Sequence, residues 1–398
     1  MDIRKLESDF IVIGSGIGGP ALSLFLKRAG IEARIFEAYP GPTTIGGGFQ
    51  IAPNGMRVLA ALGLAEQVSR AGAPTSEFRF RNHHGRSIGH IDLSRCGTGV
   101  TIMRAAFQQV LLDAAAREGL TIAYGRRLCA IEDSGDEITA HFEDGSEARG
   151  DMLIAADGVH SRARGLILPD HAKPQYTGML GVGGLLGAAS AIPVDPADAR
   201  QLNFTMGARL QFGYASLSAS APRWGWWCHL PQEPELSRHD LHALNDAEMR
   251  ARVLQAFRGW HAPIEAFVSA TDQIMRTAIY DVPALPTWHV GRVMLIGDAA
   301  HAMSPAGGQG ASLALEDSMV LGQRLADRTV PVERVFGNVE ALLRGRAERT
   351  VALARENDER QLKEFGAVGR WIRDRAFPLF APMIARQLEK QYAFTPGV

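Results

Sequence analysis

Gly14, Gly16 and Gly19 stand in the order Gly-Ser-Gly-Ile-Gly-Gly, directly after the apolar run Phe10 to Ile13. That spacing suits a backbone that turns sharply and then meets a bulky anion. Gly14 permits the turn, Gly16 keeps a Cβ out of the path of a pyrophosphate, and Gly19 lets a helix pack closely on the strand. Pro20 fits a first helical turn, where its missing N–H costs nothing. A phosphate there would meet free amides at the positive end of the helix dipole. A second strand, Ala33 to Phe36, ends in Glu37, 18 residues beyond Gly19, where a carboxylate can accept both hydroxyls of a ribose. Strand, turn, helix, strand and acid together predict a dinucleotide site, with NAD and FAD both open.

Two later turns carry similar residues. In DMLIAADGVHSRAR (151–164) an apolar strand ends in Asp157-Gly158, followed by Ser161 and Arg164. In RVMLIGDAAHAMSPAGGQGASLALEDS a strand ends in Gly297-Asp298, and Pro305, Gly308 and Gly310 precede a helix on which Leu321 and Leu325 form a buried stripe. An ordinary helix start uses Ser or Asp and no glycine run, so this loop is expected to lie against another body. His301 is expected to hold the loop and not to act as an acid or base. His239 and His242 have no third ligand nearby, and SRHDLH reads as a helix start capped by Ser237 and Asp240, so no metal is expected. His83-His84-Gly85 reads as a hairpin turn, GVGGLLG (181–187) as a glycine-rich strand, and no GxSxG elbow is present.

These elements must sit in a chain of 398 residues, enough for two domains. The pattern predicts an α/β Rossmann-type domain, assembled discontinuously from 1–70, 98–170 and 288–365. A mixed β-sheet substrate domain comes from 71–97 and 171–287, and 366–398 forms a C-terminal helical segment. Net charge is −1, which gives no electrostatic case for nucleic acid or an anionic membrane surface. No apolar run approaches the roughly 18 residues of a membrane span, and MDIRKLESD does not resemble a signal peptide. Cys96, Cys129 and Cys228 are odd in number and widely spaced, so reduced thiols in a cytoplasmic protein are expected.

In this order, the three motifs closely resemble the class A flavoprotein monooxygenases, the FAD-dependent aromatic hydroxylases. GGGFQIAPNGMRVLAALGL (46–64) and the chain length are most similar to the small members acting on salicylate-like, nicotinate-like or urate-like rings. The resemblance implies an enzyme in which NAD(P)H reduces FAD, O2 adds at flavin C4a, and the distal oxygen transfers to an aromatic ring. It implies that Gly14, Gly16 and Gly19 hold the pyrophosphate, and that Glu37, with Ala38 beside it, holds the adenosine ribose. Arg104 and Gln108 would approach the cofactor, and Leu128 would give adenine a backbone contact. Asp157 would lie between FAD and the nicotinamide nucleotide, and Asp298 would bond the ribityl or pyrophosphate region. Pro305, Gly308, Gly310 and Ala311 would border the isoalloxazine ring, with Gly47 and Gly48 nearby. Ser312 departs from the family's pattern, where an asparagine is common. NADH or NADPH visits transiently, without its own domain. Epoxidation, Baeyer–Villiger oxidation, antibiotic modification, oxidase or reductase activity and a non-catalytic flavin carrier remain as alternatives, and the protein is a monomer or homodimer.

The region 171–287 changes character. QLNFTM places Leu202, Phe204 and Met206 on one face, and Leu210, Phe212 and Tyr214 continue the period beyond a turn. Trp224, Trp226 and Trp227 follow, so a mixed sheet with one apolar, aromatic face is expected. By resemblance this face is the far wall of the substrate pocket, with Phe204, Phe212, Tyr214, Trp226 and Pro305 as candidate contacts. Alternatively the same side chains pack the sheet on the helix ARVLQAFRGW (251–260).

Overall fold

The three motif turns, after Ile13, Ala155 and Leu295, all leave the carboxyl ends of strands in one mostly parallel sheet. The computed structural model describes residues 5–7, 10–42, 46–171, 173–187, 190, 192–220 and 223–394. Its central sheet runs in the order His289–Val290, Val293–Leu295, Met152–Ala155, Phe10–Ile13, Ala33–Phe36, Ile122–Ala123. All neighbours are parallel except the antiparallel edge strand His289–Val290. FIVI, MLIA and VML are continuous apolar runs because these strands are buried on both faces.

Helices Gly18–Arg28 and Gly310–Leu325 cover one face. They approach so closely that a Cβ on Gly322 would lie 2.5 Å from that of Phe25. The other face is covered by a four-stranded sheet of Lys5–Glu7, Glu147–Gly150, Ile138–Phe142 and Leu128–Asp133, whose Phe142 ring stacks on Phe36 at 4.9 Å.

A seven-stranded sheet stands apart, in the order Thr271–Asp281, Gln175–Leu186, Trp224–Pro231, Gln211–Ser216, Gln201–Met206, Glu77–Asn82, Ser87–Asp92. Glycine-rich GVGGLLG lies within Gln175–Leu186, and His83 to Gly85 turn the hairpin between the last two strands. The register corrects the expectation of a single aromatic face. Tyr214 pairs with Asn203 and Phe212 with Thr205, so both point away from Leu202 and Phe204. The loop 207–210 changes phase between the strands, and both faces are apolar.

On one face Phe212, Tyr214 and Trp226 pack on Phe257 and Phe267, at the end of helix Asp246–Ala256 and in helix Ile264–Ser269. The other face carries Phe204 and Trp227, 5.9 Å apart edge to face. Gly213 makes room there, since a Cβ at 213 would sit 2.2 Å from the Trp227 ring. The C-terminal helix Ala367–Tyr392 lies against this second face, with Phe377 4.8 Å from Phe80. The helix before it, Val332–Leu362, packs on the loop Pro305–Gly307 and on Gly310–Leu325.

Candidate flavin site

The strand order sets the three motifs side by side. Gly14 follows Phe10–Ile13, with Glu37 on one neighbouring strand, Asp157 on the other, and Asp298 one strand further. In open α/β sheets ligands occupy this crevice beyond the carboxyl ends. The first turn is built as its spacing requires. Gly14 has φ +102°, and a Cβ on Gly19 would stand 2.0 Å from the Gly14 carbonyl oxygen. A Cβ on Gly16 would meet nothing within 4 Å, so that side is open for a ligand.

Glu37 accepts from the backbone amide and hydroxyl of Ser15 at 2.8 and 2.9 Å, and from the Tyr39 amide at 2.9 Å. Gln108 Nε2 donates to the Ser15 carbonyl at 2.8 Å, while its buried Oε1 has no partner. Arg104 is exposed, and a Cβ at Gly46, where φ is +152°, would touch its stem at 3.2 Å. The Arg126 amide donates to the Glu37 carbonyl at 2.7 Å, bringing the strand that begins at Leu128 past the same end of the sheet.

Asp157 spends its carboxylate on the helix Arg162–Ile167, accepting from the Arg162 and Ala163 amides at 2.8 and 3.1 Å and from Ser161 Oγ. Burial raises its pKa against those hydrogen bonds. Its side chain thus shapes the turn. Arg164, read from the sequence only as a motif member, is fully buried. It donates to the Ala299 carbonyl at 2.8 Å and the Val159 carbonyl at 2.6 Å, joining the second turn to the short helix Asp298–His301.

In the third motif Gly297 has φ +57° and Gly308 φ +61°. Asp298 is half-buried, and its Oδ1 would lie 3.7 Å from a Cβ on Gly310, the first residue of the following helix. His301 Nε2 meets the Asp317 carboxylate at 2.7 Å, and the same oxygen accepts the Gly297 amide at 2.8 Å. Burial would lower the His301 pKa, but the Asp317 charge and hydrogen bond prevail and it is raised. The imidazole therefore holds the loop.

Ser312 accepts the Ala52 amide through Oγ at 3.1 Å. A Cβ at Gly55 would stand 2.7 Å from that Oγ, so glycine at 55 leaves the space the hydroxyl occupies. An amide reaches this region from elsewhere. Asn54 donates to Gln309 at 2.9 Å and to Glu316 at 2.6 Å, and Arg346 grips Glu316 at 2.8 and 2.9 Å. Asn54 Oδ1 and Gln309 Nε2 are buried without partners, beside the glycine loop.

Across the loop lies the seven-stranded sheet. A Cβ on Gly47 would come within 3.6 Å of the Met275 methyl group, and one on Gly48 within 2.4 Å of Leu217. The face presented here carries Met275, Thr277, Trp227 and His229, with Gly181 and Gly183 between the outer strands. Of the candidate substrate contacts, Phe204 shares this face, whereas Phe212, Tyr214 and Trp226 belong to the opposite one. Tyr214 donates to Asp198 at 2.6 Å and Trp226 to Thr271 at 2.7 Å, so their polar atoms are spent inside the sheet–helix core. His229 escaped sequence reading, since WGWWCHL contains no spacing that marks it. Burial lowers its pKa to about 4. Among the described residues no group of three or more His, Cys, Asp and Glu side chains could hold a metal, and no helix is long and apolar enough to cross a membrane.

A family model described as an FAD binding domain matches residues 7–330. The chain belongs to the FAD-dependent aromatic hydroxylases. The chain is 31% identical over 320 residues to the FAD-dependent urate hydroxylase of Klebsiella pneumoniae, covering 78% of this chain and 80% of the relative. It is 31% identical to the 6-hydroxynicotinate 3-monooxygenase of Bordetella bronchiseptica, with the same coverages. Its fold matches Klebsiella pneumoniae HpxO complexed with FAD and uric acid, with TM-score 0.84 and 27% identity over 97% of this chain and 96% of the other. The protein is an oxidoreductase with FAD as cofactor, and its glycine-cleared crevice and orphaned amides fit that group.

Proposed function

We propose that this hydroxylase inserts one atom of O2 into an aromatic or heteroaromatic small molecule, with NAD(P)H as reductant and the second oxygen atom leaving as water. The observation that carries the reading is the alignment of the three motifs at the carboxyl ends of adjacent strands, facing a mostly apolar wall across Gly46 to Gly48. The named relatives act on urate and 6-hydroxynicotinate. FAD, when bound and reduced, supplies the activation of O2.

The chain's own residues bind and orient. The Gly14–Gly19 turn receives the pyrophosphate, and Glu37 and Ala38 the adenosine ribose. Arg104 and the free Oε1 of Gln108 approach the cofactor, and the backbone at Leu128 approaches adenine. Asp298 serves the ribityl or pyrophosphate region. Pro305, Gly308, Gly310 and Ala311 border the ring, with Gly47 and Gly48 opposite. The first amides of helix Gly310–Leu325 lack acceptors within the helix, and with its dipole they stabilise negative charge on the ring without a cationic side chain. Trp227, His229, Thr277 and Phe204 form the substrate wall in place of Phe212, Tyr214 and Trp226. His229 stays neutral at physiological pH, so it can accept a hydrogen bond from a ring hydroxyl, while its lowered pKa makes it too weak a base to take the proton.

The discontinuous division into FAD-binding and sheet domains fits the same reading, as do a monomeric or homodimeric state and a cytoplasmic setting for three unpaired thiols. NAD(P)H consumption that rises on adding one member of a panel of hydroxylated rings, with a hydroxylated product by mass spectrometry, supports the proposal; uniform peroxide formation with every ring refutes it. Asp298→Ala is expected to weaken FAD at least tenfold, about 1.4 kcal/mol, with an unchanged fold by circular dichroism. Equal flavin retention in the variant would remove Asp298 from the site.

A further inference from the structure

We propose that the outer face of the C-terminal helix Ala367–Tyr392 docks on an anionic lipid surface. The helix is apolar on two opposite sides. Its inner side carries Phe377, Ala381, Ile384, Ala385 and Leu388 onto the seven-stranded sheet. Its outer side exposes Val368, Ile372, Leu379 and Met383, at spacings of four, seven and four residues that keep them on one face. Leu379 is 79% and Val368 72% exposed, and Trp371 and Phe380 flank the stripe at 59% and 53%. Scattered exposed apolar residues are ordinary, whereas a continuous stripe of this kind marks a contact surface.

Charge decides what covers it. The helix holds five basic residues against two acidic, although the whole chain has a net charge of −1. Arg373 and Asp374 on the inner side pair with each other at 2.7 Å. Arg375, Arg386 and Lys390 fall among the exposed apolar residues, and Arg375 lies 4.8 Å over the Trp371 ring. A two-fold copy of the helix would bring cations towards cations. A lipid surface accepts the apolar side chains at the headgroup boundary while the cations reach anionic phosphates. The interior prolines Pro378 and Pro382 do not prevent this, because the helix lies on the surface and does not span it. The same helix leads inward to the proposed substrate wall. From Phe377 the ring contacts run to Phe80 at 4.8 Å, Phe204 at 5.4 Å and Trp227 at 5.9 Å.

Flotation of the FAD-loaded full chain with phosphatidylcholine vesicles, with and without phosphatidylglycerol, tests this. Binding that requires phosphatidylglycerol and weakens with salt is expected. Arg375→Gln with Arg386→Gln should lower partitioning roughly 30-fold, about fivefold for each charge. Leu379→Ser with Met383→Ser should abolish flotation. Bound-flavin absorbance stays unchanged in both variants, which separates the effect from misfolding and from any failure of the hydroxylase reading. Absence of flotation, equal flotation on neutral vesicles, or a lipid-free homodimer that Leu379→Ser with Met383→Ser dissociates would overturn the proposal.

Discussion

Arg164→Ala is expected to destabilise the protein by about 3–5 kcal/mol and to release FAD. The guanidinium is completely buried and satisfies the carbonyls of Val159 and Ala299. Burial lowers its pKa, and nearby Asp157 opposes that shift by favouring the charged form. Its removal leaves two buried acceptors unpaired, at about 1–3 kcal/mol each, together with a cavity. Because Arg164 ties the Asp157 turn to the helix bearing Asp298, both turns loosen where the cofactor lies. The thermal midpoint should fall by roughly 5–10 °C, and gel filtration should strip the flavin. A variant with wild-type midpoint and flavin content would show that the two turns are held by other contacts.

Asp317→Ala is expected to cost a comparable 3–5 kcal/mol, since it leaves buried His301 and the Gly297 amide without their shared acceptor. The pair also predicts a pH dependence. His301 has a raised pKa in the folded protein, so the folded state binds its proton more tightly than the unfolded state does. The stabilisation is fully present below pH about 6.5, the unfolded value, and is lost as pH rises through the higher folded value. Asp317→Asn removes the charge while keeping the shape. Urea midpoints of wild type minus Asp317→Asn should therefore shrink from acid towards alkaline pH. A difference independent of pH would mean that the imidazole is neutral in the native protein.

The contrast between these buried groups and the glycine turns marks what a sequence reveals. Gly14 and Gly19 were legible because backbone sterics act locally: a positive φ and a carbonyl 2.0 Å from a would-be Cβ admit no other residue. Glu37 was legible because a fixed helix length places it at the next strand's end. Arg164 was legible only as a motif member, and its structural role was not, since its acceptor at Ala299 is 135 residues away. The misplaced Phe212, Tyr214 and Trp226 have a related cause. Alternation reveals the period of each strand, but the phase between strands depends on the turn at 207–210 and on the pairing of Asn203 with Tyr214. Ser312 reads as a lost contact in sequence, yet in the structure its hydroxyl accepts the Ala52 amide, 260 residues away.

Turnover under isotopically labelled O2, with NAD(P)H and a ring substrate found by stimulated reductant consumption, tests the central claim most directly. One labelled oxygen atom in each product molecule, with the reductant consumed in equal amount, is the predicted result. A product that carries no label, formed while labelled peroxide accumulates, would contradict it.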